Sequence, residues 1–413
     1  MVAFALVGGW IGTQRQSIST LEKESALLRN HIAAARASAA SEASPHAAKT
    51  PTGKATKEKE PIDWKKVAAQ MLEMRNGEGM GDMRTMIRMQ QRLQSMTKEE
   101  MVAALDEIGT LDLPAESRQM LEQMLIGPLV EKDPQLALTR FSGRLQDQRS
   151  GMAWQLSNAL GKWAEKDPGK AIAWFDEQIA AGKFDSKSLD GKSQSRIQFE
   201  GSLIRTLLST DAEGAARRLG GIPEDQRADA LRQYSFNQIK DEDQKAFANL
   251  VRDQVPEKDR TSVIAQAATN LASRDYPGVT AYLDRIEATP AERAATVEQA
   301  ASVRIQQTSY EKDVTREDLD AMREWVNAQV PGTADATTGK TLASAVRGSG
   351  EGKFKFADAA ALAVQYHEAS GNDDVLANFL DSWQARRNKE ESIKLAEKIS
   401  DPTRREEVLK QLK

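Results

Sequence analysis

The sequence predicts an all-α protein: an α-solenoid of helix hairpins with a period of roughly 31 to 35 residues, preceded by an N-terminal stalk helix and a disordered linker. Three observations carry this expectation. The alphabet is that of helix formers, rich in alanine, leucine, glutamate, glutamine, lysine and arginine, with 29% of residues charged and only 5% aromatic. From Asp63 onward apolar residues recur at helical spacing, and no convincing alternation of β-branched residues intervenes. An acidic residue also recurs along the chain, followed by a small residue four places later and a large apolar residue eight places later.

At 413 residues the chain suits two or three compact domains or one elongated array, and its 40% hydrophobic content can supply a core. A formal charge of -4 is nearly balanced, so the long-range field that draws proteins to nucleic acid is missing and no nucleic-acid partner is expected. The absence of cysteine excludes a disulfide, a thiolate metal site and a cysteine nucleophile, and leaves the compartment open.

Residues 1–12, MVAFALVGGWIG, are apolar or small but too few to cross a bilayer, which takes about 20 residues. They read as the remnant of a membrane anchor or as a plain apolar terminus. In residues 13–36, Ile18, Leu21, Leu28 and Ile32 form a short heptad seam flanked by Glu22, Lys23, Glu24 and Arg29. This is expected to be a stalk helix able to self-associate weakly into a homo-oligomer. Residues 37–62 are rich in Ala, Ser, Thr, Lys and Pro, with Pro45, Pro51 and Pro61 and almost no large apolar side chain, so they are expected to be a linker. Between the methionine-rich segments that follow, Gly77, Gly79 and Gly81 read as a turn, and Met71, Met74, Met80, Met83, Met86, Met89 and Met96 as core more than as a binding face.

Residues 63–330 carry the repeat. The acidic markers are Asp133, Asp167, Asp211, Glu242 and Asp275, with Asp318 a weaker copy; the first five are spaced about 34, 44, 31 and 33 residues apart. Ala137, Ala171, Ala215, Ala246 and Val279 stand at plus four, and Phe141, Phe175, Leu219, Leu250 and Leu283 at plus eight. A carboxylate accepts hydrogen bonds from the free amides of a helix start, and a following proline suits the first helical position. Plus four and plus eight then share one face, the small residue admitting a neighbouring helix and the large one filling the core. A second element alternates with the first: Pro114 with Arg118, Pro223 with Arg227, Pro256 with Arg260, Pro290 with Arg293 and Pro402 with Arg405. Each repeat is therefore expected to be a proline-started helix followed by an acid-capped one. The long interval falls on a loop from Ala180 to Ser195, and residues 331–413 are expected to form a divergent helical cap over the last apolar face.

This hairpin logic resembles the tetratricopeptide and Sel1-like class of helical repeats over roughly residues 110 to 330, in length rather than in signature residues. It is also similar to the Asp-Pro-containing helical-repeat proteins of verrucomicrobial and planctomycete cell envelopes. The resemblance implies a binding scaffold and carries over no active-site residue.

Motifs with chemical promise thin out on inspection. Gly332 to Thr341 looks like a phosphate loop, but six residues separate Gly332 from Gly339 and a helix precedes it instead of a strand. It is expected to be a loop in which Thr338 or Gly339 caps a helix beginning near Lys340. Asp185 to Gly191 hints at a calcium loop, yet the spacing puts Ser186 where the first carboxylate belongs. His31, His46 and His367 form no metal-binding pair, so no catalytic residue, metal or cofactor is assigned. Trp154, Trp163, Trp174, Arg227 and Arg260 remain as candidates to line a binding groove, though two of the tryptophans occupy repeat-framework positions, where packing is the favoured account.

The function expected is a non-catalytic scaffold holding a protein or peptide, tethered through its N-terminus at the cell envelope and facing the periplasm, or otherwise cytoplasmic. The alternatives are a polysaccharide-acting enzyme or accessory subunit whose carboxylates converge only in the fold, and a structural envelope protein that self-associates.

Overall fold

A computed structural model describes residues 61–75, 83–146, 151–186, 188, 190–233, 236, 239–346 and 354–412. The chain divides into two units, Met1–Ile62 and Asp63–Lys413. Almost all of the first unit, with the apolar segment, the stalk helix and the linker, lies outside the described residues, as do Gly77, Gly79 and Gly81. The described part of the second unit is all-helical, with no strand among its residues. None of its helices is long and apolar enough to cross a membrane.

The helices begin as α1 (Trp64–Arg75), α2 (Met83–Ser95), α3 (Lys98–Thr110), α4 (Ala115–Lys132) and α5 (Pro134–Arg140). After them come α6 (Met152–Lys166), α7 (Pro168–Ala180), α8 (Gln194–Thr210), α9 (Ala212–Gly220) and α10 (Glu224–Leu231). Of the methionines, Met96 is buried and Met71 and Met89 are half-buried; nothing is described of the side chains of Met74, Met80, Met83 and Met86. Asp133, Asp167 and Asp211 each occupy the N-cap and accept the amide three residues on, from Leu136 at 3.0 Å, Lys170 at 3.1 Å and Gly214 at 2.8 Å. Pro134 and Pro168 follow at the first helical position, where a missing N–H costs no bond. The residues four and eight places beyond these acids are all buried.

Further along lie α11 (Gln244–Gln254), α12 (Glu257–Ala267), α13 (Thr269–Arg274), α14 (Tyr276–Arg285) and α15 (Pro290–Glu311). Asp275 caps α14 by accepting Gly278 N–H at 2.7 Å. Glu242 departs from the expected scheme. It lies inside a 3₁₀ turn, Asp241–Asp243, and α11 opens after Asp243 with no side-chain cap. Counted from Asp243, plus four and plus eight are Phe247 and Val251, both fully buried, while Ala246 is only half-buried. That copy is displaced by one residue, and the small-residue rule fails in it.

The C-terminal part comprises α16 (Arg316–Gln329), α17 (Ala334–Ala345), α18 (Phe356–Ser370), α19 (Asp374–Leu380), α20 (Trp383–Arg387), α21 (Lys389–Ala396) and α22 (Pro402–Gln411). Two more expectations are corrected here. Asp318 is the third residue of α16, paired with Thr315 in a capping box, so Thr315 is the cap. The stretch from Ala334 is helix, with Thr338 and Gly339 buried inside α17 rather than capping a later start.

Packing links helices close in sequence. Helices α4, α6, α8, α10 and α12 pack each on the next of that set, and α12 and α13 pack on α15, which packs on α17, which packs on α19. Small residues mark these crossings. A Cβ on Gly201 would stand 2.5 Å from the Ala230 carbonyl oxygen, and one on Gly161 would stand 2.8 Å from Ser202 Oγ. The loop after α7 is pinned by buried Phe184, whose ring meets Phe175 and Phe199 edge-on, each with centroids 5.0 Å apart.

Candidate functional site

The main candidate is a groove of about 490 Å³ lined by α12, α15, the start of α17 and Arg232. Its residues follow helical spacing. Ser262 and Gln266 lie one turn apart on α12; Ala295, Glu298, Gln299 and Ser302 follow each other on one face of α15; Thr333 immediately precedes α17 and Thr337 lies in its first turn. Ala265, Ala294 and Ala295 add only small side chains to its lining, so an entering chain can come close to the helix backbones.

The charged groups at the groove are already neutralised. Arg232 donates to Asp259 at 3.0 Å and to Ser262 Oγ at 2.7 Å, and Glu298 accepts from Lys340 at 2.7 Å. The amides of Gln266 and Gln299 and the hydroxyl of Thr261, by contrast, make no hydrogen bond to any described residue. A primary amide carries two donors and an acceptor with two lone pairs, the complement of a peptide unit. The groove is therefore equipped to hydrogen-bond a neutral polar ligand, and its charges are spent on one another.

The residues expected to line a groove lie elsewhere. Trp163 is buried and meets half-buried Trp174 across the α6–α7 hairpin, with ring centroids 6.1 Å apart. Trp154, 47% exposed, lies on the same helix as Trp163 but about 13 Å along it. Arg227 donates to the carbonyls of Ile222, Gln254 and Gly220, and Arg260 to that of Val255 at 2.8 Å. Both arginines are thus engaged in tying helix ends, and neither lines the groove.

Two buried glutamates hold arginines. Glu200 binds Arg218 through Nε at 2.6 Å and Nη2 at 3.3 Å, and burial pushes its carboxyl up, with Arg218 pulling back only part of the way. Glu292 binds Arg252 at 2.9 and 2.7 Å; burial pushes it up, but Arg252 and the Thr289 amide outweigh that and hold it below the ordinary glutamate range. Among the described residues, no group of three or more His, Asp and Glu is placed to hold a metal ion.

Gln266 and Gln299 were not singled out by their sequence context, since a glutamine on a helix surface reads as solvated. The only available signal was their phase, which puts each in register with small residues one turn away. Comparison of the chain with models of known families, with curated proteins and with solved structures returns no match.

Proposed function

We propose that residues 63–413 are an α-solenoid of helix hairpins that serves as a non-catalytic scaffold, holding a polypeptide in the groove of α12, α15 and α17 through its backbone. The packing of each helix on its near neighbours in sequence supports the solenoid. The observation that carries the binding role is the pair of amides, half-buried Gln266 and exposed Gln299, that bond no described residue, in a groove whose charges are internally paired. The contacts would be neutral hydrogen bonds, with sequence preference left to whatever the small alanine floor admits.

A photoactivatable residue at position 266 or 299 of the full chain, illuminated in native envelope extract, should capture the same polypeptide from both positions. The same probe at exposed Lys245 on α11 should not. Capture that is equal from position 245, or absent from both groove positions, counts against this reading. We further propose that residues 1–62 tether the scaffold at the envelope and that residues 13–36 self-associate. Deleting residues 1–36 should abolish concentration-dependent oligomerisation, and an unchanged oligomeric state would discard the stalk.

A further inference from the structure

A second cavity lies apart from the peptide groove, between the 3₁₀ turn at Asp241–Asp243, α13 and α14. Its volume is about 410 Å³, and a further space of about 270 Å³ shares Asp241, Leu271 and Arg274 with it. We propose that this cleft binds a carboxylate attached to a small apolar body, with Arg274 and Asn270 as the recognising groups.

The charge distribution selects the sign of the ligand. Each Asp241 oxygen is engaged, with Oδ1 accepting from Gln244 Nε2 at 3.1 Å and Oδ2 from Arg285 at 2.9 Å. Gln244, only 2% exposed, also accepts from Arg285 through its own oxygen, so the Asp241–Gln244–Arg285 wall is neutral and closed on itself. The Asp275 carboxylate is turned to the Gly278 amide at 2.7 Å, as the α14 cap. Arg274, in contrast, has no ion pair and no hydrogen bond from its guanidinium to any described residue. One helical turn before it, on the same face of α13, the Asn270 side-chain amide likewise bonds no described residue. A guanidinium presents a planar fork that fits the two oxygens of a carboxylate, and the neighbouring amide adds a donor.

The other lining residues set the body of the ligand. Ile239, Ala267, Leu271 and the ring of Tyr282 provide an apolar wall, and the Tyr282 hydroxyl is already committed to the Ile264 carbonyl at 3.0 Å. The volume falls in the range of small-molecule sites, about 300–1,000 Å³. A free aliphatic acid and the last residue of a polypeptide share this chemistry, and experiment separates them.

The test uses the full chain and calorimetric titration with four probes: N-acetyl-leucine, its amide, a pentapeptide ending in leucine with a free carboxylate, and the same peptide amidated. At least one acid should bind, its amide should bind at least tenfold more weakly, and Arg274→Gln should weaken the acid at least tenfold. Because Arg274 is exposed and pairs with no described residue, the variant should melt with the wild type. Binding of N-acetyl-leucine alone assigns a free acid; binding of the peptide alone assigns a chain end. Acid and amide binding equally, an Arg274→Gln variant binding as the wild type does, or no binding of either acid at millimolar concentration, would overturn the proposal. None of these outcomes depends on occupation of the groove at Gln266 and Gln299.

Discussion

Arg227, on α10, donates from Nη1 to the carbonyl of Gln254, the last residue of α11, at 3.1 Å. The same guanidinium bonds the carbonyl of Gly220, the last residue of α9, at 3.1 Å and that of Ile222 at 3.0 Å. A helix ends with carbonyls that lack intrahelical partners and carry partial negative charge, so one cation here closes two helix ends. Lysine cannot reproduce this fork. Arg227→Lys should lose about 2–3 kcal/mol in denaturant unfolding, at about 1 kcal/mol or more per charged hydrogen bond removed. Arg217→Ala, on an exposed side chain of α9, should cost no more than about 0.5 kcal/mol.

Two glycines should respond to alanine with opposite signs. Glycine in a helix costs about 1 kcal/mol relative to alanine. Gly109, on an exposed position of α3, has nothing within 4 Å of a built Cβ, so Gly109→Ala should stabilise by about 0.5–1 kcal/mol. Gly339 sits where α17 presses on α19, and its Cβ would overlap the Val375 carbonyl oxygen and stand 2.9 Å from Phe379 N. Backbone cannot yield as a flexible side chain can, and Gly339→Ala should destabilise by about 2 kcal/mol or more. Thermal melts of the two variants decide the matter by sign alone.

Glu292 should leave a mark on acid unfolding. Its carboxyl is held below the ordinary glutamate range in the folded state, because the bonds from Arg252 and the Thr289 amide outweigh the cost of burial. A depressed folded value means that the stabilisation is present above the unfolded value, about 4.3, and is lost as pH falls through the folded one. Glu292→Gln should therefore cost about 2 kcal/mol at neutral pH, with the gap to wild type closing on acidification. Denaturant midpoints measured from pH 7 down to about 3 give the slope. A gap that stays constant with pH would assign the loss to packing instead.

The acid-capped helices were legible because a cap is a local bargain: Asp133, Asp167, Asp211 and Asp275 satisfy an amide three residues away. The marker at Glu242 was misplaced for a tertiary reason. Three acids stand in a row there, and Asp241 is drawn off by Arg285 and Gln244, so α11 starts one residue later than the pattern suggests. The helix through Thr337, Thr338 and Gly339 was hidden similarly, since its close packing on α19 outweighs a local composition that favours a loop. Pro/Arg pairs were visible as a recurrence, but the carbonyls that Arg227 reaches lie up to 27 residues away. The groove was least legible of all, because an unpartnered glutamine differs from a solvated one only in what surrounds it.

His367 closes the C-terminal helices onto the rest. It is buried on α18, with Nδ1 3.1 Å from the Asn372 carbonyl and Nε2 3.1 Å from the Lys398 carbonyl. Both neighbours are acceptors, so the ring nitrogen that carries the hydrogen has a carbonyl to donate to on either side. Beside it Asp373, 3.8 Å from Nδ1, accepts the amides of Ser400 and Asp401 at 2.9 Å each. Burial pushes the Asp373 carboxyl up, yet those amides, with Arg404 nearby, hold it below the ordinary range. The pair thus fastens the strip that leads into α22. Replacing His367 with leucine removes the ring nitrogens that face these two part-buried carbonyls, at a cost of about 1–3 kcal/mol, and should loosen this strip before it unfolds anything else. Hydrogen exchange at Ser400 and Asp401 should accelerate at least tenfold in His367→Leu, with the amides of α8 unchanged. Equal acceleration in both regions would show that the histidine supports global stability and is no local clasp.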